Sequence, residues 1–107
     1  MAVFRVETYV VKPEKQEQFM QLGDRFLKYV KENPETFKEV KSVKLFSHMF
    51  GGTYGAYVEM WEYDNLTEYA KSWAKLESDK GFRKLVQDLM PLIDPATLSI
   101  NVWKSVM

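Results

Sequence analysis

The sequence predicts a single α+β domain, residues 1–107, whose elements follow the order β-α-β-β-α-β. Three observations predict this: strand-like alternation at both ends of the chain, two segments with apolar residues at helical spacing, and two strand-like segments around a Gly-Gly turn. With 107 residues, 46% hydrophobic and 15% aromatic, the chain is long and apolar enough for one domain with a core.

The first strand and the first helix are predicted by the N-terminal third of the chain. Residues 2–11 are rich in β-branched and aromatic types, which favours a strand. Pro13 suits the first turn of a helix, and Asn33-Pro34 ends it, because a residue before proline is disfavoured in the helical region. Between them, apolar residues recur at three- and four-residue steps and predict one buried stripe: Phe19, Leu22, Gly23, Phe26, Leu27 and Val30.

A hairpin is predicted in the middle of the chain. The segments "EVKSVKLFSHM" and "YGAYVEMWEY" flank "FGGT", so Gly51-Gly52 is expected to form the turn. Centring the turn there places Lys44 opposite Glu59, which predicts a cross-strand ion pair.

The C-terminal part predicts a broken helix and a last strand. Asn65 can cap a helix with Glu68 three residues on. The apolar stripe of this helix is Leu66, Tyr69, Ala70, Trp73 and Ala74. A break is expected near "SDKG", and a second piece stops around Pro91. Residues 96–106 then alternate as a strand.

This order is typical of the ferredoxin-like split βαβ fold, an antiparallel four-stranded sheet with helices on one face. The expected strand order is 4-1-3-2, with the first and third strands in the centre.

The alternation predicts two unlike sheet faces. The aliphatic face is expected to lie under the helices. The opposite face would carry aromatic and charged residues, listed by strand: Arg5, Glu7, Tyr9; Lys44, Phe46, His48; Tyr57, Glu59, Trp61; Ser99, Asn101, Trp103. Large aromatic side chains in this number would form an apolar patch that is unfavourable when it is exposed to water. We therefore expect a homodimer in which this face packs on an identical sheet to form an α+β barrel.

Composition excludes several classes of function. The 15 basic and 15 acidic residues balance, and no Lys or Arg cluster marks a nucleic-acid or anionic-membrane surface. Without cysteine and with one histidine, thiol chemistry and multi-histidine metal sites are excluded. No apolar stretch approaches about 18 residues, and Arg5 and Glu7 interrupt the N-terminal one. We expect a cytoplasmic protein without metal, cofactor, membrane or nucleic-acid partner.

The chain resembles the dimeric α+β barrel superfamily, and within it the antibiotic-biosynthesis-monooxygenase-type proteins. The resemblance rests on "FRVETYVVKPEKQEQF" and "GAYVEMWEYDNLTEYAKSW" and covers essentially the whole chain. It implies the barrel homodimer and a cofactor-independent monooxygenase-like enzyme, or a binder of a small apolar or aromatic molecule.

Compared residue by residue, few of the catalytic residues of these superfamily members have a counterpart in this chain. Haem-degrading members use an Asn on the first strand with a Trp and a His from the helices. Here that strand has Arg5, Glu7, Thr8 and Tyr9, with no Asn, and neither helix has a histidine. Trp73 can stand in the tryptophan role. Cofactor-independent members also rely on Asn and Trp, and the nearest amide in this chain is on the last strand.

The candidate catalytic residues are Glu7, Glu59 and His48. Glu7 and Glu59 lie on neighbouring strands, so close carboxylates could form an acid/base pair. Alternatively, Arg5 and Lys44 neutralise them within a dimer interface. His48 could be a general base, a haem ligand, or a residue at the rim of an interface.

The candidate ligand-binding residues are aromatic. Tyr9, Tyr57 and Trp61 could stack on an aromatic substrate or simply fill an interface. Trp73 could form part of the core or roof a cavity between helix and sheet. Three functions remain open: the monooxygenase-like enzyme or binder, a non-enzymatic dimerisation module, and a haem-binding or haem-degrading protein.

Overall fold

A computed structural model describes all residues, 1–107, and confirms the predicted α+β architecture. The strands are β1 (Val3–Val11), β2 (Ser42–Ser47), β3 (Ala56–Tyr63) and β4 (Ile93–Lys104). The helices are α1 (Gln16–Glu32), α2 (Leu66–Ser78) and α3 (Lys80–Leu89), with short 3-10 turns at Pro13–Lys15 and Met90–Leu92. None of the helices combines the length and the apolar character that a membrane-spanning segment requires.

The helix ends form where the local sequence favours them. The Asn65 side chain accepts a hydrogen bond from the backbone N–H of Glu68 at 2.9 Å, which confirms the predicted cap of α2. Asp79 separates α2 from α3 and caps α3 by accepting from the N–H of Phe82 at 2.9 Å. The helix α1 ends at Glu32, followed by Asn33, as the Asn-Pro pair predicts.

The sheet has the order β2-β3-β1-β4, and all its neighbouring strands are antiparallel. The predicted strand order is confirmed. Both helical regions cover the same face of the sheet, which we call the covered face. The other side, which no helix covers, is the open face.

The predicted assignment of residues to faces is wrong for the two central strands. Tyr9 and Trp61 are 1% and 2% exposed, and their rings pack against helical aromatics. The side chains predicted to turn away from the helices therefore lie on the covered face in β1 and β3: Arg5, Glu7, Tyr9, Tyr57, Glu59 and Trp61. The edge strands follow the prediction, because Lys44, Phe46, Ser99, Asn101 and Trp103 lie on the open face.

The error comes from two registers, that of the hairpin between β2 and β3 and that of β4 against β1, where Glu7 pairs with Ile100 instead of lying on the face of Ser99 and Asn101. Residues 48–55 form a loop in which Gly51, Gly52 and Gly55 have positive φ angles of 71°, 67° and 80°, instead of a two-residue turn. Glu59 consequently pairs with Leu45, while Lys44 pairs with Met60. A shift of one residue moves every side chain to the other face. The predicted Lys44–Glu59 ion pair does not form.

The core consists of two clusters of buried residues under the helices. One contains Phe37, Trp61, Tyr63, Leu76 and Phe82. The other contains Tyr9, Val11, Phe19 and Ile93. Four residues of the predicted helical stripes, Leu27, Leu66, Ala70 and Ala74, are instead exposed. Where the two clusters meet, the helices and the sheet leave an unfilled space.

Candidate functional site

The unfilled space is a cleft of about 230 Å³ between the covered face and helices α1 and α3. Hydrophobic side chains make up 16 of its 19 lining residues, and Glu7 and Glu59 are the charged ones. The rest of the floor consists of Tyr9, Val43, Leu45, Trp61, Ile93, Leu98 and Ile100, and the roof and walls of Phe19, Leu22, Gly23, Phe26, Trp73, Phe82, Leu85, Val86, Leu89 and Met90.

The two glutamates occupy the centre of the floor. Glu7 on β1 and Glu59 on β3 are directly paired across the two central strands. Paired side chains on one face of a sheet are neighbours, with Cβ atoms about 5 Å apart. The cleft therefore has two adjacent carboxyl groups in an otherwise apolar lining.

Glu59 is held by two hydrogen bonds from aromatic side chains. Trp61 donates through Nε1 to Oε1 at 3.0 Å, and the hydroxyl of Tyr9 donates to Oε2. Burial and the neighbouring Glu59 charge raise the pKa of Tyr9, so its hydroxyl stays protonated and continues to donate. Both donors keep the Glu59 carboxylate fixed in one orientation.

Glu7 is in a different electrostatic environment. Burial raises its pKa, the charge of Glu59 raises it further, and the ion pair with Arg5 only partly opposes these effects. The Nε atom of Arg5 lies 3.2 Å from Oε2 of Glu7. Glu7 thus retains a proton to higher pH than an exposed glutamate and can exchange it with a molecule in the cleft.

Arg5 connects the carboxyl pair to helix α2. Its guanidinium carbon lies 3.7 Å from the ring centroid of Trp73, a cation–π contact. It also donates a hydrogen bond to the hydroxyl of Tyr69 at 3.0 Å. These contacts position Trp73 beside the cleft and hold a positive charge next to Glu7.

The structure brings five of the seven predicted site residues together in the cleft: Glu7, Tyr9, Glu59, Trp61 and Trp73. The other two lie elsewhere. Tyr57 packs on Phe19 with ring centroids 4.7 Å apart and donates its hydroxyl to Gln16 at 2.8 Å. His48 is exposed in the hairpin loop, and its Nδ1 lies 3.1 Å from the carbonyl oxygen of Thr53.

Sequence reasoning missed the roof of the cleft. Phe19, Leu22, Gly23 and Phe26 of α1 were recognised as a buried stripe, but not as residues facing a cavity. Gly23 is the informative position: it interrupts the stripe, and a Cβ atom placed there meets nothing within 4 Å. A glycine within an apolar helical stripe is therefore the available signal of unfilled space.

The residues offer little for metal or haem ligation. No group of three or more His, Asp or Glu side chains in the molecule could hold a metal ion. The single histidine lines a separate depression around the hairpin loop, together with Gln16 and Tyr57. The polar chemistry available in the cleft is therefore that of carboxyl, phenol and indole groups, with the Arg5 guanidinium behind Glu7.

Comparison with known families decides the relationship of the chain. A model of the NIPSNAP family matches residues 4–102. The chain belongs to the NIPSNAP family. No curated protein is similar enough to it to count as a match.

Solved structures place the NIPSNAP-family chain among known folds. A conserved protein from Methanosarcina mazei superposes with a TM-score of 0.71 at 17% identity, over 98% of this chain and 93% of that one. A NIPSNAP-family protein of unknown function from Agrobacterium tumefaciens gives 0.69 at 15%, over 97% and 87%. A putative antibiotic biosynthesis monooxygenase from Caulobacter crescentus gives 0.73 at 15%, over 99% and 91%.

These similarities concern the fold. They confirm that the NIPSNAP-family chain shares its architecture with proteins of the antibiotic-biosynthesis-monooxygenase type, as its sequence resemblance implies. Fold does not by itself determine activity, so function has to be argued from the cleft.

Proposed function

We propose that this NIPSNAP-family chain binds a small, largely apolar molecule in the cleft and exchanges a proton with it through Glu7. One observation carries the proposal: a carboxyl group with a raised pKa, paired with a second carboxyl group, at the floor of an apolar cleft. Perturbed titratable groups in concave apolar sites are characteristic of functional centres.

The volume of the cleft limits the size of the ligand. At about 230 Å³ it exceeds the roughly 150 Å³ of an apolar cavity that accepts benzene. It is smaller than the roughly 300 Å³ at which typical ligand pockets begin. A ligand with one aromatic ring or a slender aliphatic body fits, whereas a haem is too large for this cleft as it stands.

The two carboxyl groups have separate roles in this proposal. Glu59, fixed by Tyr9 and Trp61, supplies a stationary negative charge that makes the neighbouring Glu7 more basic. Ionised Glu7 takes the proton of a phenolic or enolic hydroxyl, while Arg5 beside it limits the build-up of negative charge. This division of roles follows the general pattern in which two nearby carboxyl groups have different pKa values.

An enzymatic form of the proposal adds dioxygen as co-substrate. The substrate anion formed by Glu7 supplies the electrons: a CH₂ group of the substrate becomes a carbonyl, and the second oxygen atom leaves as water. The similarity in fold to monooxygenase-type proteins supports this form over other proton-transfer reactions. His48, the other predicted base, is outside the cleft and has no part in it.

Ligand binding tests the proposal directly. 4-Nitrophenol and 4-nitrotoluene have similar shape, but only the phenol has an acidic proton, and its ionisation is visible by absorbance. We expect the wild type to bind the phenol more tightly and in its ionised form. The variant Glu7→Gln should bind both equally, whereas Glu62→Gln on the open face should behave as wild type. If 4-nitrophenol does not bind, the proposal is rejected.

A homodimer through the open face is the second part of the proposal. Phe46 and Trp103 on this face are 46% and 53% exposed, and the aliphatic side chains of β1 and β3 lie between them. Large apolar side chains grouped on an uncovered sheet favour association. The competing function is a dimerisation module without a ligand. The exposed apolar side chains of the open face favour that function as well.

Sedimentation equilibrium, together with the binding data, distinguishes a ligand-binding homodimer from a dimerisation module without a ligand. We expect twice the 12.6 kDa chain mass for the wild type and a single chain for Trp103→Glu. The exposed helical substitution Lys71→Glu serves as the charge control and should remain dimeric. A dimer that binds neither nitroaromatic compound would leave the association module as the function.

A further inference from the structure

A single row of side chains crosses the floor of the cleft from one edge of the sheet to the other. Leu45 of β2 pairs with Glu59 of β3, Glu59 pairs with Glu7 of β1, and Glu7 pairs with Ile100 of β4. All four residues line the cleft. The two carboxyl groups therefore occupy the middle of the row, with one aliphatic residue at each end.

Both ends of this row are accessible to solvent. Leu45 and Ile100 are each 46% exposed, although their side chains lie on the covered face. Val43 lines the cleft beside Leu45, and Leu98 lines it beside Ile100. The cleft thus reaches both edge strands, and apolar surface continues to both openings.

The dimensions of the row give the cleft an elongated form. Four strands span three inter-strand spacings of about 4.8 Å, or about 14 Å in all. Because a volume of about 230 Å³ extends over that length, the cleft is narrow. Such a passage suits an alkyl chain, or a single ring with substituents on opposite sides.

We propose that the cleft is a channel open at both edges of the sheet, and that its ligand is an elongated apolar molecule with its hydrogen-bond donor in the middle. The donor would face Glu7 and Glu59, and one apolar arm would extend over Leu45 and the other over Ile100. A donor at the end of the molecule would either leave one half of the apolar row without a ligand arm or place an alkyl segment against the two carboxyl groups, which is unfavourable for buried polar groups. This inference rests on the proposed function and specifies its ligand class.

Three alcohols test the position of the donor. Undecan-6-ol has two equal arms, undecan-1-ol has the same length with the hydroxyl at one end, and pentan-3-ol has short arms. Binding is followed by displacement of 4-nitrophenol. We expect undecan-6-ol to bind at least ten-fold more tightly than either of the others. Equal affinities of the two undecanols would overturn the inference.

Substitutions that narrow one opening test whether both are used. Leu45→Trp and Ile100→Trp should each weaken undecan-6-ol at least ten-fold and weaken pentan-3-ol, whose arms are shorter, by a smaller factor. Phe46→Trp, next to Leu45 but on the open face, is the matched control and should change neither. If only one of the two substitutions weakens undecan-6-ol, the cleft is a pocket with one entrance and the inference is wrong.

The outcomes separate this inference from the proposed function. If 4-nitrophenol binds in a manner that depends on Glu7 but the undecanols do not differ, the site stands and the two-ended channel does not. If 4-nitrophenol does not bind at all, the proposed function itself fails. Far-UV circular dichroism of each variant confirms that the fold is retained.

Discussion

The two faces of the sheet are built from alternate residues of the same four strands, yet they differ in almost every property. The covered face buries large aromatics with polar tips, such as Tyr9 and Trp61, at 1% and 2% exposure. The open face has an aliphatic centre, with Val6 at 2% exposure, and half-exposed aromatics at its edges. In the two central strands, β1 and β3, the more polar set of side chains is therefore the one under the helices.

The difference shows that polarity alone does not decide which face is buried. Aromatic rings reach across the gap between sheet and helices, and their polar tips need a partner when buried. Tyr9 and Trp61 find that partner in Glu59, so the aromatics and the acid stabilise one another. The acid in turn leaves a polar centre in an apolar space, which is what a site for proton exchange requires.

The largest contrast between the faces is expected for tryptophan removal. Trp61 packs on Phe26, Trp73 and Phe82, with ring centroids 5.6 to 6.0 Å apart. Trp61→Ala should lower the free energy of unfolding by about 3–5 kcal/mol, the range for buried aromatic truncations. Urea unfolding followed by far-UV circular dichroism measures the change without relying on tryptophan fluorescence.

Trp103→Ala is the matched substitution on the open face. Because Trp103 is 53% exposed, its loss should cost less than about 1 kcal/mol at protein concentrations low enough to keep the chain monomeric. Equal costs for the two substitutions would mean that the faces do not differ in burial as described.

Local signals in the sequence were sufficient for the elements and their order. Proline, asparagine caps and apolar spacing act within a few residues, so Asn65 and the break before Lys80 could be located from sequence. The sheet order also followed, because this element order has a common topology. The prediction of a ferredoxin-like fold is therefore confirmed.

The face assignment of β1 and β3 could not be obtained in this way. It depends on the hairpin register, which is set by three left-handed glycines in a loop longer than the turn that Gly51-Gly52 predicts. It also depends on the register of β4 against β1, which pairs Glu7 with Ile100. In β1 and β3, both the odd-numbered and the even-numbered side chains include residues that can be buried in a core. The alternation therefore does not indicate which set lies under the helices. Glu7 and Glu59 remain neighbours in either register of β2, because that pairing depends only on β1 and β3.

A second test concerns how tightly the helices close over the covered face. At Gly81, an added methyl group would overlap the ring of Tyr29, whose hydroxyl donates to Asp79. Gly81→Ala should displace Tyr29 and cost about 1–3 kcal/mol, measured by urea unfolding. The hydrogen bond to Asp79 raises the pKa of Tyr29 to about 12, so ultraviolet titration should show this pKa falling in the variant. An unchanged titration would show that the ring does not move.

A third test uses the pH dependence of stability at the acid pair. Because the folded protein raises the pKa of Glu7, ionisation of this group favours the unfolded chain. Protonated Glu7 therefore contributes its full stabilisation below the pKa of the unfolded chain, near 4.5. This contribution is lost as the pH rises through the higher pKa of Glu7 in the folded protein. Glu7→Gln should therefore increase stability at neutral pH, by about 1 kcal/mol, the usual size for relieving such a strain at a functional site.

The control for this test lies on the open face. Glu62→Gln changes the same functional group where it accepts a hydrogen bond from Ser42 at 3.0 Å, outside the cleft. We expect its effect to be smaller and its pH profile to follow that of the wild type. If Glu7→Gln is less stable than the wild type at neutral pH, the ion pair with Arg5 outweighs burial and repulsion, and Glu7 is a structural residue.

The smallest expected effect concerns the empty space itself. Gly23 lies within α1 above the cleft, and a Cβ atom there would meet no other atom within 4 Å. Gly23→Ala should stabilise the protein by about 0.5–1 kcal/mol, because alanine is the better helix former and nothing has to move. The same methyl group projects into the cleft and should weaken 4-nitrophenol binding several-fold. A variant that is more stable but binds the phenol unchanged would show that the ligand does not reach the roof beneath α1.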